Sequence, residues 1–194
     1  MIYMDELHLL YMYAWASFCM PCLFVVFKKA VETQVESVVR WFAGPMIHVD
    51  IVPGDDRLAY TSYMFETFSV NPVQGYSTDT HVCLNLQVTQ EEHDAVREML
   101  ARFVNKGIQY NYNNVFRCML PGPTAFDATD VQHEQEVKTL YCSQAVLLVL
   151  RSCLDPSKHL VSKLATMNSR FTTPNMLYNA LQAHAEPAET FLVV

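Results

Sequence analysis

From Cys142 to Arg151 the chain reads Cys-Ser-Gln-Ala-Val-Leu-Leu-Val-Leu-Arg, with six consecutive apolar residues from Ala145 to Leu150. The length suits one helix. A helix that is apolar on nearly every side is stable in water only if other elements enclose it. The rest of the chain must therefore supply a shell. With 194 residues, 51% of them hydrophobic, one domain with a sizeable core is affordable in length and composition.

The candidate shell alternates between two periods. Cys22-Leu23-Phe24-Val25-Val26-Phe27 is rich in strand formers. Val31, Val35, Val38, Val39 and Phe42 recur at helical spacing, and Gly44-Pro45 ends that helix. In Met46–Val52, Ile47, Val49 and Ile51 alternate with His48 and Asp50, the pattern of a half-buried strand. Pro53-Gly54-Asp55-Asp56 is a turn. Leu58 to Phe68 reads as a second strand or two short ones. Asn71 to Asp79 reads as a polar loop, and His81 to Val88 as a further strand.

Thr89-Gln90-Glu91-Glu92 is a capping box opening a helix. Val96, Met99, Leu100, Phe103 and Val104 form its buried stripe, and Lys106-Gly107 closes it. Tyr110–Asn114 is either an aromatic turn or a substrate-facing loop. Residues 121–136 form a polar, acidic surface loop. After the Cys142 helix, a short helix is expected over 158–167. Thr173-Pro174, an N-cap followed by Pro at the first helical position, opens a last one reaching about His184. The expected fold class is α+β, with an antiparallel sheet of four to six strands packed on the buried Cys-bearing helix. Residues 1–194 form a single domain, with its core at about 22–155 and a C-terminal helical extension over 156–194.

The N-terminus has two readings. Leu9 to Phe27 is uncharged and is followed by Lys28-Lys29, long enough for a membrane span. Alternatively Pro21 separates a short helix over 5–18 from the strand at 22–27. The second is preferred, because the latter half is made of strand formers. A signal peptide fits less well, since the basic residues follow the apolar run and no small-residue cleavage site ends it.

Composition removes several function classes. The net charge is −7 and no basic cluster is present, so nucleic-acid binding is not expected. Only five glycines occur, and neither dinucleotide nor P-loop phosphate motifs are found. The six cysteines need no disulfides in a chain with this core, and reduced thiols favour an intracellular over a secreted location. Cys19-x-x-Cys22 stands alone, with no second pair to complete a zinc site. No metal and no cofactor is expected.

Two residues stand out chemically. Cys142 falls at the start of the buried helix, where unpaired N–H groups and the helix dipole favour negative charge. A thiol at such a place is drawn toward the nucleophilic thiolate, and a histidine beside it could act as base and then acid. Taken by itself, this cysteine also fits simple packing. His48 is the best base; His8, His81, His93, His133, His159 and His184 have weaker context. A third group should orient the imidazole. Glu66 is preferred because it falls on the expected neighbouring strand. Asp50 is the alternative: it shares a face with His48, but i,i+2 spacing suits stacking along the strand better than a direct bond.

The order of elements, with His48 before Cys142, resembles the circularly permuted branch of the papain-like NlpC superfamily. That branch includes YiiX-like proteins, relatives of lecithin retinol acyltransferase and virus-encoded members such as those of poxviruses. Cys22–Phe27 resembles its opening strand. Trp41-Phe42-Ala43-Gly44-Pro45-Met46-Ile47-His48-Val49-Asp50-Ile51 is similar to its histidine segment, and Phe65-Glu66 falls at a short strand. Val88–Glu92 and Gly107–Asn111 are similar to the entry and exit of its middle helix. Tyr141-Cys142-Ser143-Gln144-Ala145-Val146 is similar to its Tyr-Cys-Ser segment. Two departures stand: Met20-Pro21 replaces a Gly-Asp-Ile, and Gln144 stands where Glu is common.

The resemblance implies a cysteine hydrolase or acyltransferase of peptidase, amidase or lipid acyl type. Cys142 would be the nucleophile, His48 the base and Glu66 or Asp50 the orienting residue. The partner would be a peptide, amide or acyl-lipid substrate. The scarcity of glycine, with many Met and Cys residues, suits a virus-encoded member. Two rivals remain at this level: a catalytically inactive interaction module on the same fold, and a membrane-anchored protein using residues 9–27.

Overall fold

The structure, a computed structural model, describes residues 21–54, 57–64, 66–112, 115, 138–188 and 191. Within them the chain is α+β. The strands of the main sheet are β1 (Cys22–Lys28), β2 (His48–Pro53), β3 (Leu58–Thr61), β4 (Ser69–Pro72), β5 (His81–Gln87) and β8 (Glu186–Pro187). Their order is β4-β3-β2-β1-β5-β8, and every pairing is antiparallel. Two short strands, β6 (Gln109–Tyr110) and β7 (Thr139–Leu140), pair in parallel beside it. The described helices are α1 (Gln34–Ala43), α2 (Gln90–Asn105), α3 (Cys142–Cys153), α4 (His159–Ala165) and α5 (Pro174–Leu181).

The central strand is β1, which explains its unbroken apolar sequence. Leu23, Val25 and Phe27 face the helices together with Val49 and Ile51 of β2 and Leu84 and Leu86 of β5. Phe24 and Val26 face the other way, into a smaller cluster with Val52, Ala59, Cys83 and Phe191. A strand paired on both sides and covered on both faces has no position for a polar residue. The same fact corrects the membrane alternative: residues 22–27 belong to the middle of a sheet, so 9–27 is not one membrane-spanning helix. The remainder of that stretch, the expected helix at 5–18 and Cys19 lie outside the described residues. No described helix is long and apolar enough to cross a membrane.

Helix α3 is enclosed as its composition requires. Cys142 through Leu150 are all buried. Its shell consists of β2, α2, α4 and α5. Leu147, Val149 and Leu150 are fully inaccessible, and each such side chain contributes roughly 1.5–3 kcal/mol. Leu160, Val161 and Leu164 of α4 and Leu177, Ala180 and Leu181 of α5 share this core. The C-terminal helices are therefore part of the shell around α3.

Several local expectations change. The strand reading of 58–68 holds for β3, but Ser62–Met64 and Glu66 lie outside any strand, with Glu66 N–H donating to Tyr63 O at 3.2 Å and Thr67 forming an isolated bridge to Gln109. Glu66 thus sits on a turn. The polar loop starts at Val73, because residues 69–72 pair with β3 (Tyr60 opposite Val70). Strand β8 has no local signal; it exists because Pro187 and Glu186 pair with Leu84 and Asn85. Helix α1 begins later than its apolar pattern suggested. Thr33 caps it and Glu36 completes a second capping box. Its apolar positions are also less buried than the pattern implied: Val38 and Phe42 are half exposed and Trp41 is 81% exposed.

Candidate active site

His48 is the first residue of β2, and Cys142 is the first residue of α3. Both ends open onto one cleft of about 370 Å³. One wall is α1, through Glu36, Val39 and Ala43. The opposite side carries Tyr63, Tyr110, Val115 and Pro174. Gly44 sets how closely α1 approaches α5. Its φ is +96°, and a Cβ there would lie 2.9 Å from the Asn175 side chain. Only glycine allows both this backbone and this approach.

Cys142 is held by its neighbours in sequence. Tyr141 Oη donates to Ser169 O at 2.7 Å and Thr172 O at 3.1 Å. Ser143 Oγ donates to the same Thr172 carbonyl at 2.7 Å. Ser62 Oγ donates to Leu140 O at 3.1 Å. These buried bonds tie the start of α3 to the turn before α5 and to the end of β3. Tyr141, at the N-cap, offers no side-chain acceptor to the first-turn N–H groups. The first intrahelical bond runs from Ala145 N–H to Tyr141 O at 2.9 Å. Helix geometry leaves the N–H groups of the preceding first turn without intrahelical partners at this end of α3.

The imidazole of His48 is buried and is held through one ring nitrogen. Nε2 lies 2.8 Å from Asp50 Oδ1 and 2.9 Å from Thr61 Oγ1. An ionised carboxylate only accepts, so Nε2 carries the hydrogen and donates it to Asp50. Nδ1, the other ring nitrogen, takes no part in these two bonds. Burial by itself would depress His48. The Asp50 charge, the Cys142 charge and hydrogen bonds to both outweigh it and raise His48 to about 10. Burial would raise Asp50, yet the His48 charge and hydrogen bonds from His48, Thr61 and Tyr76 hold its carboxyl below the usual range. The Tyr63 ring stacks on His48, with centroids 4.2 Å apart and planes 11° from parallel.

The carboxylate bonded to His48 is Asp50, not Glu66, which sequence favours for that place. Glu66 lines the same cleft but is exposed and does not contact His48. The preference assumed a strand at Glu66, where the chain makes a turn. It also treated the i,i+2 distance as too long for a bond, although an imidazole and a carboxylate leaning toward each other close it. Two residues went unnoticed in sequence. Thr61 comes beside Asp50 once Ile51 is set opposite Tyr60. Tyr76 donates its hydroxyl to Asp50 Oδ2 at 2.5 Å from the polar loop. Alternation on β3 hints at the first; nothing local identifies the second.

Glu36 also lines the cleft, but its carboxylate is engaged. It accepts from Lys28 Nζ at 2.8 Å and from the Thr33 N–H at 2.9 Å. The residues together can hold a thiol, a base, an orienting carboxylate and N–H donors around one point. That set can form and resolve an acyl-thioester. Compared with family models, curated proteins and solved structures, the chain shows no significant match.

Proposed function

We propose that the protein is a cysteine hydrolase or acyltransferase acting on an amide, ester or thioester, on a permuted papain-like fold. The observation that carries the proposal is that Cys142 and His48 line one cleft, with Asp50 Oδ1 at 2.8 Å from His48 Nε2. The order of elements supports the fold assignment: a central opening strand, a helix, the histidine strand, and much later the cysteine helix. The His-before-Cys order is the one that the permuted branch uses.

The reaction follows from the geometry. The Cys142 proton rests on His48 Nδ1 as an imidazolium–thiolate pair, and the thiolate sulfur attacks the substrate carbonyl carbon. The new C–S bond places negative charge on the carbonyl oxygen, which the first-turn N–H groups of α3 stabilise. His48 returns the proton to the departing nitrogen, oxygen or sulfur, and the C–X bond breaks to leave a thioester on Cys142. Water or a second acceptor, deprotonated by His48, attacks that thioester and releases the thiolate. Asp50 remains ionised throughout and holds the imidazole in one tautomer.

A trapping experiment tests this. Purified protein is mixed with p-nitrophenyl acetate, quenched in acid and digested, and the peptides are weighed. An acetyl group on Cys142, absent in His48→Ala, is the expected result. If Cys142 acquires no acyl group and reacts with iodoacetamide no faster than free cysteine at neutral pH, the proposal fails.

A further inference from the structure

The proposed chemistry uses Asp50 through Oδ1 only, and leaves unexplained why the opposite oxygen is so carefully held. Asp50 is 1% exposed. A buried carboxylate with one oxygen unsatisfied carries a large desolvation cost. The second oxygen meets Tyr76, whose hydroxyl is 2.5 Å away. The Tyr76 ring is itself fixed: it stacks on His81 with centroids 4.4 Å apart and planes 22° from parallel. His81 Nδ1 lies 2.7 Å from Thr80 Oγ1, and Ser77 Oγ lies 2.9 Å from the same hydroxyl. The loop from Val73 to Thr80 thus forms a braced mount behind the carboxylate.

We infer that Tyr76 is a positioning residue of the Cys142–His48–Asp50 site: its hydroxyl bond to Oδ2 keeps Asp50 ionised and turned so that Oδ1 stays on His48. A phenol is suited to this. It donates a short, strong bond without adding a positive charge, so it does not compete with His48 as the counter-ion of Asp50. The other titratable groups around the carboxylate have different positions. His48 lies on its own strand, His81 and Cys83 are on β5, Tyr63 follows β3, and Lys28 on β1 is engaged by Glu32 and Glu36. Of these, His48 shares with Tyr76 a direct bond to Asp50, on the other oxygen. The inference rests on the proposed function for its consequence in catalysis, but its geometric content can be tested separately.

The test is an NMR titration of the full chain, following the Asp50 carboxyl carbon and the His48 Nε2 resonance. In Tyr76→Phe the stacked ring is kept and the donor is lost. The inflection at which Asp50 takes up a proton should then rise by about one pH unit, the size expected for one hydrogen bond to a buried charge. The acid-unfolding midpoint, followed by circular dichroism, should rise with it. Tyr178→Phe makes the same chemical change away from the site and should move neither. Should Tyr76→Phe not fold, 3-fluorotyrosine at position 76 keeps the fold and strengthens the donor, and should move the inflection down. An unchanged inflection in the folded variant, or no downward shift with fluorotyrosine, overturns the inference. The iodoacetamide rate at Cys142 is read on the same samples: a wild-type rate equal to that of free cysteine defeats the hydrolase proposal, while the inflection still decides on Tyr76.

Discussion

His48 and Asp50 stand two residues apart on one strand and are joined by a 2.8 Å hydrogen bond from Nε2 to Oδ1. One short strand segment therefore carries both the imidazole and the carboxylate bonded to it. The pleat of β2, which is buried along its whole length, puts the two side chains on one face.

Asp50→Asn keeps the shape and removes the charge. It should slow iodoacetamide alkylation of Cys142 at neutral pH by roughly 10- to 100-fold, the range for loss of a strong charge–charge term beside a catalytic histidine. Glu66→Gln should leave the pH profile of that rate unchanged. Equal effects from the two variants would return the orienting role to Glu66.

Two histidines should give stability a maximum near neutral pH, with opposite signs on each side. His48 is raised to about 10 from an ordinary 6.5. Its contribution is fully present below 6.5 and is lost as pH rises through about 10. His81 is lowered, by burial first and by Lys28 and His48 next. Its neutral form is favoured in the fold, so stability falls as pH drops below 6.5. Urea unfolding between pH 5 and pH 10 reads both limbs. His48→Gln should flatten the alkaline limb and His81→Gln the acid one.

The hydrogen bonds that seat the start of α3 should couple. Tyr141→Phe removes a buried donor from the carbonyls of Ser169 and Thr172 and should cost about 1–3 kcal/mol. Ser143→Ala removes the second donor to Thr172 O and should cost about 1 kcal/mol. Because they share one acceptor, the double variant should be non-additive. Chemical denaturation of the four proteins measures this, and strict additivity would show that Thr172 is not a shared anchor.

Glu92 joins three elements and should be the most sensitive surface-derived acid. It accepts from Thr89 N–H at 2.8 Å, Asp155 N–H at 2.8 Å and Lys158 Nζ at 2.6 Å. Glu92→Ala should cost roughly 2–4 kcal/mol, since it strands a cap, a turn and a partly buried charge. Thermal unfolding at matched salt checks it. A loss no larger than that of an exposed helix acid would refute the role.

Within the described residues, much of the fold was legible because its signals are local. The Thr89–Glu92 capping box, the Thr173-Pro174 start and Gly107 at φ +58° are set by the backbone groups of a single turn. The alternation in Met46–Val52 placed His48 and Asp50 on one face. The six-residue apolar run identified α3 and its complete burial. Inferences across space fail: the Tyr, Phe and Thr residues near Glu66 are strand formers, yet Glu66 closes a turn onto Tyr63.

The sequence by itself determined the longer strands and helices, the burial of α3 from Cys142 to Leu150, and that a cysteine opens this helix while a histidine shares a strand face with an aspartate. These follow from periodicity and capping, which act over a few residues. Only the tertiary structure decided that the ends of β2 and α3 meet, that Asp50 rather than Glu66 holds His48, and that Thr61 and Tyr76 complete the carboxylate's bonds. Those contacts join residues separated by up to about a hundred positions, such as His48 and Cys142. Their existence depends on sheet register and on how the helices close over the sheet, and no short stretch of chain carries that information.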